Sequence, residues 1–252
     1  MRAFLVPALV MIGATQTPPA AAQDARAAAR AGMVAEIVAM ARETGGETGR
    51  PVFADAVLLA IGRVPRHRFV PLGQDASAYD NRPLAIGEGQ TISQPYIVAL
   101  MTDLVDPKPS DRVLEVGTGS GYQAAVLAEL VAKVYTIEIV EPLGRSAAKL
   151  LAQLGYRNVE VRIGDGYAGW REAAPFDAIV VTAAPAEVPQ PLIDQLKPGG
   201  RMVIPVGGPA EVQHLLLVEK RSDGRATTRR TLAVRFVPLT RERRSSDAGV
   251  AK

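Results

Sequence analysis

The sequence predicts an α/β fold: a doubly wound, mostly parallel sheet with a helical extension at its N-terminus. Three observations carry that prediction. From Ser110 onward, short apolar runs that read as strands alternate with segments of helical periodicity. A glycine-rich turn, "VGTGSGY" (Val116 to Tyr122), joins the first such strand to the first such helix. The run "FDAIVVTAA" (Phe176 to Ala184) is apolar almost throughout, as expected of a strand covered on both faces.

The elements follow in chain order. A chain of 252 residues, 48% of them hydrophobic, can bury one substantial core. Met1-Arg2, the apolar stretch Ala3 to Ala14, and small residues at Ala20 and Ala22 read as an export leader over residues 1–22, cleaved before Gln23. The apolar stretch is shorter than the roughly 20 residues a spanning helix needs, so no membrane insertion is expected after cleavage. The expected location is periplasmic or secreted; a disordered leader on a cytosolic protein is the alternative. Ala25 to Glu43 is alanine-rich and free of proline, which predicts a helix broken by "TGGETGR". "PVFADAVLLAIGRV" (Pro51 to Val64) predicts a second helix, with Asp55 as a capping residue. After "PRHRFVP" comes a polar loop ending at Pro95, and Tyr96 to Val105 predicts a third helix, making a helical extension over residues 23–105.

Residues 110–240 make the predicted sheet domain. Strands are expected at "RVLEVG", "KVYTIEI", "VEVRIGDG" and "FDAIVVTAA", with helices at "YQAAVLAELV" and "EPLGRSAAKLLAQLG", the latter ending at Gly155. "PQPLIDQLKPGG" reads as a short helix and turn. "RMVIPVG", "HLLLVEK" and "TLAVRFVPL" read as late strands forming an antiparallel edge. Residues 241–252 read as a basic, flexible tail.

Composition narrows the chemistry. The chain has no cysteine, so disulfides and thiolate catalysis are excluded; with two histidines, His67 and His214, no metal centre is expected. The net charge is +3, with arginines concentrated near the C-terminus (Arg221, Arg225, Arg229, Arg230, Arg235, Arg241, Arg243, Arg244). No aromatic-studded strand accompanies them, so the cluster reads as a solvated face and no nucleic-acid partner is expected.

The glycine turn predicts a nucleotide-like ligand, since Gly117, Thr118 and Gly119 let a ligand approach the backbone at a helix N-terminus. Flavin and nicotinamide sites share such turns. Three acids sharpen the reading. Glu138 closes the second strand about 20 residues after Gly117, the offset at which an acid accepts from ribose hydroxyls. Glu115, just before the turn, would repel a pyrophosphate but suit the ammonium and sulfonium of S-adenosylmethionine, directly or through water. The spacing G-x-G-x-G also departs from the dinucleotide pattern. Asp165, in "GDG" with Gly166, can accept from an adenine amino group.

The residues together resemble the protein-L-isoaspartate (D-aspartate) O-methyltransferases. The resemblance covers about Ala54 to Leu239 and rests on "VPRHRFVP", "RPLAIGEGQTISQPYIVALMT", "VLEVGTGSGYQAAVLA", "GDG", "PFDAIVVTAA", "LKPGGRMVIPVG" and "VRFVPL". It implies a seven-stranded Rossmann-like sheet. It implies methyl transfer from S-adenosylmethionine to the free carboxylate of L-isoaspartyl and D-aspartyl residues in damaged proteins or peptides, which starts repair through a succinimide. It places the catalytic serine at Ser93 and donor contacts at Glu115, Gly117, Glu138, Asp165 and Gly166. Gln90 and Ile92 are expected to add loop contacts. It places the acceptor groove along Ile86, Gly87, Val237, Pro238 and Leu239. A monomer is expected, and the family's usual location is the cytoplasm. By spacing alone, Ser93 could instead cap the helix that follows.

Rival readings are a nucleic-acid methyltransferase, a nicotinamide oxidoreductase and an exported, non-catalytic binding module. The first lacks an N/D-P-P-Y/F motif after the fourth strand, where "TAAPAE" stands. Glu115 and the glycine spacing weigh against the second. A serine hydrolase is excluded because Ser120 sits in T-G-S-G-Y rather than G-x-S-x-G.

Overall fold

Alternating side chains set the layers of the sheet, seen here in a computed structural model that describes residues 20–208 and 210–241, with side chains from Ala25 onward. In β3 (Arg112–Val116), Val113 joins one core and Leu114 and Val116 join the other. The same two-sided burial recurs in β6 (Phe176–Val181), where Ala178 and Val180 face one layer and Ile179 and Val181 the opposite one. The sheet also contains β4 (Lys133–Glu138), β5 (Val159–Ile163), β7 (Leu196–Val206), β8 (Gln213–Lys220) and β9 (Ala226–Val234). Its order is β5-β4-β3-β6-β7-β8-β9, parallel from β5 to β7 and antiparallel at β8 and β9. The expected doubly wound sheet with an antiparallel edge is present.

One face carries α1 (Ala20–Thr48), α2 (Asp55–Arg63), α3 (Pro95–Leu104) and α4 (Tyr122–Ala128), packed through Ile37, Ile61, Leu100, Leu104 and Leu127. Each of these side chains is fully buried, which contributes about 2 kcal/mol apiece relative to exposure. α5 (Glu141–Gln153) adds Leu151 to this layer, while α6 (Gln190–Asp194) adds Leu192 to the other. Gly155, with a φ of +87°, ends α5 as expected.

Several boundaries differ from expectation. α1 runs through "TGGET" to Thr48 instead of stopping at Glu43. The Thr44 and Thr48 hydroxyls donate back to the Met40 and Thr44 carbonyls, at 2.8 and 3.1 Å. Gly45 is a contact point, not a breaker: a Cβ there would lie 2.6 Å from the Pro51 Cβ. α2 begins at Asp55, and Asp55 caps nothing. The preceding Ala54 amide donates to Asp103 Oδ1 of α3 at 2.7 Å. The polar loop folds into a hairpin, β1 (Leu84–Gly87) with β2 (Gln90–Ile92), whose turn residues Glu88 and Gly89 both have positive φ. β9 starts at Ala226 and ends at Val234, so "RFVPL" leaves the sheet.

The leader expected over residues 1–22 lies outside the described residues except for Ala20 to Ala22, which begin α1. The tail beyond Arg241 also lies outside them. Among the described residues, no helix is long and apolar enough to cross a membrane.

Candidate active site

The chain leaves the carboxyl end of β3 toward β4 on one side, while β6 flanks β3 on the other, so the switch point lies between β3 and β6. The glycine turn fills it. Gly117 has a φ of +97°, and a Cβ there would lie 2.4 Å from Thr182 Oγ1. Thr182, one residue past β6, donates its hydroxyl to the Gly117 carbonyl at 2.6 Å, with the Val116 carbonyl at 3.1 Å. The two strand ends are thereby tied beneath an open cleft.

Glu138 holds the turn from the side of β4. Its Oε2 accepts from the Gly119 amide at 2.7 Å and its Oε1 from the Val140 amide at 2.9 Å. Each oxygen keeps a second lone pair for a ligand hydroxyl.

Glu115 differs from the expected rim anion. Strand alternation turns it inward beneath the turn, where it is fully buried. Its Oε2 accepts from the Thr136 hydroxyl at 2.5 Å, and Thr118 and Thr136 share a hydrogen bond of 2.6 Å. Among the described residues its Oε1 has no hydrogen-bond partner. Burial pushes its pKa up to about 8, against the opposing Thr136 bond, and Glu138 adds to the rise. At neutral pH the group is therefore mostly protonated.

Asp165 fixes its own turn. Its side chain accepts from the Tyr167 amide at 2.9 Å and caps the single turn Gly166–Ala168. Gly166 lines the cleft, whereas Asp165 stands beside it. A Cβ on Gly166 would lie 2.4 Å from Val116 Cγ1, so only glycine lets this turn approach β3.

Gln90, Thr91, Ile92 and Ser93 line the cleft from the β2 side, and Val237, Pro238 and Leu239 line it from the chain beyond β9. A second cavity of about 550 Å³ lies between α1, α3 and the end of β9, with Met40, Tyr96, Ile97, Leu232 and Phe236 among its walls. The two share Thr91, Ser93, Thr182 and Val237. Ser93 thus stands where the cavities meet. It does not cap α3, whose N-cap is Gln94 without a side-chain bond.

The residues expected along the acceptor groove lie in different places around these spaces. Ile86 faces a separate small hollow beside Gly119 and Ser120, and Gly87 lines neither main cavity. Pro238 and Leu239 line only the first cleft, and Val237 alone reaches both. The hairpin register carries Ile86 and Gly87 toward the turn end, away from Ser93.

Two features were missed in the sequence. Thr182 had a usable signal: it is the polar residue ending an apolar strand at the switch point. The α1 wall of the second cavity had none, because Thr44 reads locally as a helix breaker. His67 is structural, as its Nδ1 hydrogen-bonds Tyr79 Oη at 2.7 Å.

Residues 47–244 match the family model described as Protein-L-isoaspartate(D-aspartate) O-methyltransferase. Protein-L-isoaspartate O-methyltransferase 2 of Polaromonas sp. (strain JS666) is 63% identical over 211 residues, covering 84% of this chain and 100% of the relative. Protein-L-isoaspartate O-methyltransferase 1 of Cupriavidus necator is 60% identical over 237 residues, covering 93% and 92% of the two chains. A crystal structure of a beta-aspartate methyltransferase from Plasmodium falciparum, in complex with S-adenosyl-L-homocysteine, matches with a TM-score of 0.65 at 25% identity, over 81% of this chain and 98% of that one.

Proposed function

Because the chain belongs to the protein-L-isoaspartate (D-aspartate) O-methyltransferase family, we propose a role for each group around its two cavities. The protein is an S-adenosylmethionine-dependent methyltransferase acting on isoaspartyl residues of proteins. The first cleft is the donor site and the second cavity takes the isoaspartyl residue. One observation carries this assignment: the two spaces meet at Ser93, Thr91, Thr182 and Val237.

The donor site fits its ligand chemically. The glycine turn is a cradle that a Cβ would fill, and Glu115 lines the cleft beneath it, where a cationic ligand would favour its anion. Glu138 would hold the ribose hydroxyls, the Gly117 and Gly119 backbone the amino-acid end, and the Gly166 turn the adenine side, with Asp165 fixing that turn. When bound, S-adenosylmethionine supplies a methyl group on a sulfonium, already activated for transfer.

The acceptor carboxylate has a pKa near 4, so it is ionised at neutral pH and needs no general base. Ser93 donates its hydroxyl to one carboxylate oxygen and leaves the other free to attack. Both reactants lose charge in the transition state, so a neutral hydroxyl positions the carboxylate with less over-stabilisation than a guanidinium would. The apolar walls at Tyr96, Ile97, Leu232 and Phe236 exclude water from it. Positioning of this kind supplies several kcal/mol, up to about 7–11 at its limit.

Both cavities are complete within one chain, which supports a monomer. Among the described residues, the acceptor cavity carries Arg235 as its one basic lining residue, which supports a protein acceptor over nucleic acid. The charged start, apolar run and small residues before Gln23 support export to the periplasm or beyond. The N-terminal residue of the mature protein, read by sequencing, tests the export reading: Gln23 supports it and an intact leader refutes it.

The test of function is methyl transfer from labelled donor to an isoaspartyl peptide, with the matched aspartyl peptide as control. Label in the isoaspartyl peptide alone is the expected result. Donor binding without transfer to it would refute the acceptor assignment.

A further inference from the structure

Beyond β9 the chain does not trail away. The Ala184 amide donates to the Val237 carbonyl and the Leu239 amide donates to the Ala184 carbonyl, both at 2.8 Å, pinning Pro238 beside Ala184. Val237 lies at the junction of the two cavities, and Val237 to Thr240 all line the donor cleft. The next residue, Arg241, places its guanidinium carbon 3.8 Å from the centroid of the Tyr167 ring. Tyr167 follows Gly166, which lines the same cleft, and its amide is held by Asp165. Residues 237–241 therefore form a strap along the cleft, fixed at one end by the Ala184 bridge and at the other by a cation on an aromatic face. Arg241, the first residue of the expected basic tail, packs on this ring.

We propose that Arg241 and Tyr167 are positioning residues, a latch that holds the 237–240 strap over bound donor and slows release of the demethylated product. The inference rests on the donor-site assignment above. Neither side chain touches the donor cleft itself, so the latch acts through the strap. Adenosyl ligand lying under Pro238 to Thr240 leaves when the strap lifts, and lifting it separates Arg241 from Tyr167. A partly exposed cation–π contact of this kind is worth about a two- to fivefold change in rate.

The test uses the full chain and S-adenosylhomocysteine as probe. Trp170, the single tryptophan, lies three residues from Tyr167 and serves as the fluorescence reporter for displacement kinetics. Arg241→Ala is expected to speed dissociation about two- to fivefold, Arg241→Lys to restore most of the retention, and Tyr167→Phe to change little because the ring remains. In a Tyr167→Leu background, Arg241→Ala should have almost no further effect. The KM for the peptide should move less than that for the donor. Equal dissociation rates for wild type and Arg241→Ala overturn the latch, as does an undiminished Arg241→Ala effect in the Tyr167→Leu background. Failure of wild type to bind the probe would instead overturn the donor-site assignment.

Discussion

Glu115→Gln is the most informative single change in the first cleft. The substitution preserves shape, and its amide oxygen can still accept from Thr136. What it removes is a titration. The Glu115 carboxyl moves from an ordinary 4.5 to about 8 on folding, chiefly because burial opposes its charge. Below pH 4.5 the group is protonated in both folded and unfolded chains. Between 4.5 and 8 only the folded chain keeps the proton, so its contribution to stability falls as pH rises, and it levels off above 8. The slope is about 1.4 kcal/mol for each pH step, and the full span approaches about 5 kcal/mol as an upper bound. Urea unfolding of ligand-free protein at pH 5, 6.5 and 8.5 measures it. Both chains share every other titrating group, so the difference between them isolates this one. The variant should gain on wild type by less than about 1 kcal/mol at pH 5 and by several at pH 8.5. A difference that stays constant across that range would refute the buried, protonated carboxyl.

The same carboxyl links donor binding to protons. A cationic ligand near Glu115 favours its anion, so binding at pH 7 should release a fraction of a proton in wild type and none in Glu115→Gln; calorimetry in buffers of different ionisation enthalpy reads this directly. Donor affinity should accordingly strengthen as pH rises toward 8. Ser93→Ala should lower turnover by roughly 10- to 100-fold, the worth of a hydrogen bond to a charged group, while calorimetric donor affinity stays near that of wild type. Gly117→Ala should abolish measurable donor binding in the same assay, because its Cβ meets Thr182 Oγ1 at 2.4 Å and its φ is +97°. Its left-handed backbone adds about 1–2 kcal/mol of strain, read as a lower urea midpoint.

Much of the fold was legible because its signals are local. The succession of strands from Arg112 to Val181 follows from apolar runs punctuated by glycine, and Ser93 stands out as a hydroxyl in a polar loop before Pro95. What was not legible depends on tertiary partners. Gly45 reads as a breaker until Pro51 packs against it, and α1 continues past it to wall the second cavity. Asp165 and Glu138 look equivalent as acids at strand ends. Glu138 anchors two amides while lining the cleft, whereas Asp165 turns to its own backbone and leaves the cleft to Gly166. The charge state of Glu115 follows from complete burial, which no single position in a sequence reveals. Arg241 reads as one of several tail arginines; its meeting with Tyr167 requires the chain to cross back over the cleft.

The most direct test of the two-cavity arrangement is a crystal structure with S-adenosylhomocysteine and an isoaspartyl peptide bound together. The sulfur should lie in the first cleft facing the junction, with the isoaspartyl carboxylate in the second cavity and one of its oxygens about 2.5–3.0 Å from Ser93 Oγ. A carboxylate seated elsewhere, or a Ser93 hydroxyl turned away from it, would contradict the assignment of acceptor site and catalytic serine together.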